Sequence, residues 1–186
     1  MGAVSRQVQI VLLCEDQQHE VFLRRFLSAE GWETRKMRVV KAPGGKGSAE
    51  QFVRQQFPVE LKAQRSRPVS QALVAMIDGD THGVEGRLEQ LNEACRASGV
   101  NVRSQGERVA VFSPTWRIET WFAYLGGATV DETKPDYPRL PRERECQPLV
   151  DVLKEMCRIG TLRPPAPPSL ERACVEYRVR LVEGTR

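Results

Sequence analysis

The sequence predicts an α/β fold: a mainly parallel four-stranded sheet with helices on both faces and a helical extension at the C-terminus. Three observations carry that reading. The runs Ile10–Cys14 and Leu73–Ile77 are continuously apolar rather than alternating, as strands buried on both faces are. Strand-like and helix-like segments then alternate as βα-βα-βα-βα through about residue 125, the order that builds parallel sheets. Finally, both apolar runs stop on carboxylates, Glu15 after the first and Asp78-Gly79-Asp80 after the second. In open α/β sheets ligands collect at the carboxyl ends of the strands.

Each element has its own signal. Val8–Cys14 is the first strand. Gln17–Ser28 follows as a helix with Val21, Phe22, Phe26 and Leu27 on an apolar stripe, and Gly31 suits its end. Thr34–Val40 mixes charged and apolar residues and reads as a second, more exposed strand. Lys41–Ser48 is a glycine-rich loop, and Ser48 caps a helix over Ala49–Gln64. Pro58 interrupts that helix and predicts a kink or break. Ala72–Ile77 is the third strand, Val84–Ala97 a helix, Arg108–Phe112 the fourth strand, and Arg117–Leu125 a short helix. Trp121 and Leu125 sit at core spacing on it, while Trp116 lies on the preceding turn. Gly126–Glu145 lacks periodicity and reads as a long surface loop carrying Arg139, Arg142 and Arg144. Gln147–Ile159 is a helix, 163–168 a stiff proline-rich connector, and Ser169 caps a last helix to about Val182. This divides the chain into a core over 1–125 and an extension over 126–186 packed on it.

Composition excludes several classes. The 186 residues are 40% hydrophobic and 28% charged, which suits a globular chain. No run approaches the roughly 18 apolar residues of a membrane span. The start, Met1–Gln7, lacks the apolar core of a secretion signal, so a cytoplasmic location is expected. The five cysteines, Cys14, Cys95, Cys146, Cys157 and Cys174, are odd in number, widely spaced and without a CxxC pair. That speaks against a disulfide framework or a zinc site. A net charge of +4 is compatible with a polyanionic partner without requiring one.

The acidic strand ends are the chemical feature. Residues i and i+2 of a strand share a side, so Asp78 and Asp80 can present both carboxylates to one place. If the two strands are neighbours, Glu15 joins them. Three adjacent carboxylates need a cation among them, and Mg2+ (or Mn2+) is the natural candidate for oxygen ligands. Such a site suits phosphoryl chemistry. The alternative is that Asp80 is a turn or cap residue. Glutamate is a poor cap, so Glu15 is harder to explain that way. Other candidates are weaker in kind. The Gly44–Ser48 loop with Lys46 could meet a phosphate or serve as a plain loop and cap. His82 lies two residues beyond Asp80 and reads either as a phosphate contact or as a polar helix start. His19 reads as a surface or packing residue of its helix.

The strand ending in Glu15, the helix after it, and the later strand ending in Asp78-Gly79-Asp80 resemble the TOPRIM domain of topoisomerases, primases and OLD-type nucleases. The run Cys14–Leu27 and the segment Arg117-Ile118-Glu119-Thr120-Trp121-Phe122 are similar to small stand-alone TOPRIM-like proteins of bacterial defence loci. The resemblance spans about residues 8–125. It implies a metal-dependent nuclease acting on DNA or RNA, working in phage defence with a partner ATPase chain. Glu15 then matches a metal ligand or general acid/base, and Asp78 and Asp80 match the metal ligands. Glu20 is similar to an acid that helps hold a second metal. It stands one residue further from Glu15 than usual, and Asp16 replaces the usual glycine. Glu119 is either a further acid of the site or a structural residue paired with Arg117 or Arg108. Lys46, His82 and Arg117 are the phosphate or nucleic-acid contacts this implies. Two other functions are open: a non-catalytic metal- or nucleotide-binding regulatory subunit, and a haloacid-dehalogenase-like phosphatase. The latter expects DxDxT on its first strand, whereas here the motif follows the third strand and His82 stands in place of the threonine.

Overall fold

The apolar runs pair as parallel strands. A computed structural model describes residues 8–44, 47–67 and 70–183. Its sheet holds β1 (Gln9–Cys14), β2 (Met37–Lys41), β3 (Gln71–Met76) and β4 (Val109–Phe112) in the order β2-β1-β3-β4, all parallel. The register sets Cys14 beside Met76. The residues that follow, Glu15 and the 78–80 segment, therefore leave the sheet side by side.

Six α-helices pack on the sheet among the described residues: α1 (Gln17–Ala29), α2 (Ala49–Ser66), α3 (Gly83–Ala97), α4 (Ile118–Leu125), α5 (Gln147–Ile159) and α6 (Pro168–Glu176). Side-chain alternation along the strands sorts them into two layers. Ile10, Leu12, Val74, Met76 and Phe112 face a core built with α1, α4, α5 and α6. Val11, Leu13, Leu73, Ala75, Ile77 and Val111 face α2 and α3. The chain leaves β1 into α1 on one face and leaves β3 into α3 on the other. The crevice between the carboxyl ends of β1 and β3 is thus the topological switch point of the sheet.

Some elements depart from expectation. Pro58 is buried inside α2, which runs without a break through it. The first three residues of the expected second strand, Thr34–Lys36, form a 3₁₀ turn. The final helix changes at Tyr177 into a π-helical segment, Tyr177–Val182. Ser169 is no cap: its hydroxyl receives the Trp121 indole N–H at 2.8 Å and donates to Glu132. β4 lies at a sheet edge, and the Glu176 carboxylate covers part of it by accepting the Val111 N–H at 3.1 Å. No helix among the described residues is long and apolar enough to cross a membrane.

Candidate functional site

The two acidic strand ends meet. Glu15 reaches across from the end of β1, and its Oε1 accepts the backbone N–H of Asp78 at 2.6 Å. The loop after β3 is in turn strapped to the loop after β4. Gly79 N–H donates to Pro114 O at 2.9 Å and Asp80 N–H to Trp116 O at 3.0 Å. A Cβ at Gly79 would lie 2.0 Å from Thr115 O and 2.6 Å from Pro114 O. Only glycine fits against that backbone.

Asp78 and Asp80 do not share one side of a strand as the period of two predicts. β3 ends at Met76, and Asp80 adopts a left-handed conformation with φ of 45°, a region that aspartate enters more readily than most residues. The two side chains are drawn to helices on opposite faces of the sheet. Asp78 Oδ1 pairs with His19 Nε2 of α1 at 3.1 Å. Asp80 Oδ2 accepts from Arg87 Nη2 of α3 at 3.1 Å, and its other oxygen lies 3.8 Å from Arg117 Nε. Arg87 also donates to Asp78 O at 2.8 Å, Glu50 at 2.9 Å and Gln90 at 2.8 Å. Both cations are almost wholly enclosed, His19 at 1% and Arg87 at 3% exposure.

These contacts set the electrostatics. Burial is the largest influence on Glu15, and Asp78 and Asp80 add to it. The opposing charge of His19 and the hydrogen bond from Asp78 only partly compensate, and its carboxyl is raised to about 7. Burial alone would push the His19 imidazole down. The charge of Asp78 and the hydrogen bond to it, with help from Asp16 and Glu15, instead raise it to about 9. At neutral pH His19 is therefore an imidazolium held beside a carboxylate. Its Nδ1 is buried without a hydrogen-bond partner among the described residues.

The remaining expected residues divide. Glu119 is buried at the start of α4 and accepts from Gln18 Nε2 at 3.0 Å. Its cationic neighbour is neither Arg117 nor Arg108 but Arg139 of the long loop, 4.0 Å away. Arg139 also approaches the α1 cap, Asp16, at 3.4 Å. The segment read as a long surface loop thus reaches the acidic edge through Arg139. Glu20 is committed to Lys41 at 2.8 Å and Arg24 at 3.1 Å. Burial would raise its carboxyl, but those hydrogen bonds and charges leave it lowered. His82 is exposed at the N-terminal boundary of α3 and caps nothing with its side chain. Arg117 is exposed beside Asp80. Lys46 lies outside the described residues.

Sequence reasoning undervalued His19 and passed over Gln18 and Arg87. The signal was present. His19 stands three and seven residues before Phe22 and Phe26, and Arg87 four and eight before Leu91 and Cys95. Both share a helical face with core residues.

Chemically, three carboxylates border a switch-point crevice, with Asp78 and Asp80 each held by a buried protein cation and exposed guanidiniums at the flank. Among the described residues no group of three His, Cys, Asp or Glu side chains stands ready-made as a metal cage. No protein-family model, curated protein or solved structure matches the chain. The class defined by fold and geometry is therefore a parallel α/β protein with an acidic switch-point site.

Proposed function

We propose that the chain is a divalent-metal-dependent phosphodiesterase acting on nucleic acid, of the TOPRIM type that its motifs resemble. The observation that carries this reading is the meeting of Glu15 with the Asp78–Asp80 segment at the switch point between β1 and β3. The donors fit Mg2+ or Mn2+ in kind. All are carboxylate oxygens, and Mg2+ needs only one or two of them because it keeps several waters. Glu15 Oε1, Asp78 Oδ1 and Asp80 Oδ2 are engaged within the protein, which leaves Glu15 Oε2, Asp78 Oδ2 and Asp80 Oδ1 as the donors, the last of them 3.8 Å from the exposed Arg117. When bound, the ion would supply polarisation of a phosphate and a water of lowered pKa.

The chain's own residues do the rest. Glu15 is either a ligand of the ion or, where the two aspartates hold the ion alone, the base that takes a proton from an attacking water, its carboxyl being raised to about 7 in the metal-free fold. His19 and Arg87 fix the two aspartates, so their carboxylates need no rearrangement on substrate binding. Arg117 and Arg139, each about three-fifths exposed, are placed to meet phosphate oxygens along a strand. Glu119 is held by Gln18 and orients Arg139. His82 is a further phosphate contact at the rim. A separate ATPase chain as partner belongs to the same proposal.

The test is cleavage of supercoiled plasmid and of single-stranded RNA by the purified chain, with Mg2+, Mn2+ or chelator. Metal-dependent cleavage should fall by roughly 100-fold or more in Asp78→Ala, since metal polarisation is worth several kcal/mol. One observation favours a second reading. His19 and Arg87 already neutralise much of the acidic charge, which suits a non-catalytic binding or regulatory module. Wild-type protein that binds Mn2+ in titration calorimetry yet cuts neither substrate, alone or with a partner ATPase, would sink the nuclease and leave the module.

A further inference from the structure

Away from the acidic edge, two thiols face each other. All five cysteines are free. Cys14, Cys95 and Cys146 are buried and act as small apolar core residues. Cys157, in the last turn of α5, and Cys174, in α6, are different. They are 17 residues apart in sequence, and their sulfurs lie 3.8 Å apart. Both are half-buried, and both line a cavity of about 250 Å³ that Met156, Leu162 and Tyr177 help to form. A second cleft also reaches Cys174. Reagents of modest size therefore have a path to the pair.

A disulfide needs sulfurs about 2.05 Å apart. The two sulfurs must approach by a little under about 2 Å, which side-chain rotation and a small helix shift can supply. Both thiols pack against the edge of the main core but also border open space, which leaves room for such motion. A metal cage is a poorer account of the pair. Among the described residues no third His, Cys, Asp or Glu joins it, whereas structural zinc sites take four such ligands.

We propose that Cys157 and Cys174 are a dithiol redox site that closes into a disulfide linking α5 to α6. Either sulfur can donate to the other across the 3.8 Å contact, so either can attack while its partner resolves. With glutathione disulfide as oxidant and Cys157 attacking first, its thiolate attacks one sulfur and breaks the glutathione S–S bond. The first glutathione leaves as a thiolate and takes up a proton. Cys174 gives its proton to solvent and attacks the Cys157 sulfur of the mixed disulfide, releasing the second glutathione. Two protein thiols and one glutathione disulfide become one protein disulfide and two glutathiones.

The bridge would close the proline-rich connector into a loop and fasten α6, whose Ser169 holds the Trp121 indole and whose Glu176 covers the β4 edge. Closing a loop of this length corresponds to a rise in Tm of roughly 5–10 °C.

The experiment equilibrates the full chain in glutathione buffers from fully reducing to fully oxidising, quenches with acid and alkylating reagent, and maps peptides without reduction. The expected product is one intramolecular Cys157–Cys174 linkage, with the raised Tm. Cys174→Ser should stop at a glutathione adduct on Cys157, and Cys157→Ser at one on Cys174. Three results would overturn the proposal: both thiols alkylated across the whole range, linkage through Cys14, Cys95 or Cys146, or bridges only between chains. The wild-type peptide map decides the matter even if a serine variant fails to fold.

Discussion

The two sides of the acidic edge are neutralised by different kinds of cation. On the α1 side, Asp78 faces the imidazole of His19, a group that can lose its charge. On the α3 side, Asp80 faces Arg87, whose guanidinium stays charged at any accessible pH. Both cations are buried and both come from the helix next to their aspartate. Similar geometry therefore produces one half of the site whose balance depends on pH and one half whose balance does not.

The largest expected effect comes from removing the residue that lets the two halves diverge. Gly79→Ala puts a Cβ against the Pro114 and Thr115 carbonyls, and nothing there is a flexible side chain. Unfolding free energy in urea should drop by about 4–5 kcal/mol; a loss under about 1 kcal/mol would show that the strap to the β4 loop is looser than described. Next is Arg87→Met, which keeps the packing volume but strands Asp80, Glu50 and the Asp78 carbonyl. A loss of about 3–4 kcal/mol is expected, independent of pH between 6 and 9.

His19→Gln sharpens the contrast. Removing the imidazolium should cost about 2–3 kcal/mol near pH 6 and little at high pH. The sign follows from the folded values. His19 is raised to about 9 from 6.5, so its contribution is complete below about pH 6.5 and is lost as pH rises through about 9. Glu15 is raised to about 7 from 4.5, so ionising it in the fold costs stability as pH climbs from about 4.5 to 7. Wild-type stability should decline steadily from pH 5 to 9.5. The His19→Gln variant should lose the upper part of that decline, which chemical denaturation at a series of pH values would show. The smallest effect belongs to Arg117→Ala. This guanidinium is 62% exposed and 3.8 Å from Asp80, so stability should change by under about 0.5 kcal/mol, while nucleic-acid affinity, measured by a salt-dependent gel shift, should fall.

Much of this framework could be read from residues. The β1 and β3 runs are apolar because both their faces are covered, and the regular alternation with helices made them parallel. Their adjacency was only the condition under which the carboxylates would meet, and the strand order β2-β1-β3-β4 meets it. The cations at those carboxylates were harder to see. Carboxylates in a row called for a positive partner, and Mg2+ was the natural suggestion. The structure shows that the chain supplies two positive partners itself. Arg87 was passed over, and His19 read only as a surface or packing residue, because polar residues in an amphipathic helix are normally assigned to its wet side. Their place on the stripe with Leu91, Cys95, Phe22 and Phe26 is visible only when spacing is given more weight than polarity. Asp80 was misplaced for another reason. Period-two reasoning fails where a strand has already ended, and nothing in Asp78-Gly79-Asp80 marks that end at Met76. The reach of Arg139 back to Asp16 and Glu119 is a matter of loop path, which no local pattern encodes.

The contact between Glu15 and Asp78 spans 63 residues, and β2 with α2 must pass over β1 before β3 can pair with it. Closing so long a parallel crossover comes late in folding. Until then Glu15 is an ordinary glutamate at the end of a strand, and its unusual proton affinity appears only when β3 docks. A stopped-flow jump that follows proton uptake near pH 6 would therefore time the docking of β3 on β1 without any attached label, reporting the birth of the acidic edge through the protons it captures.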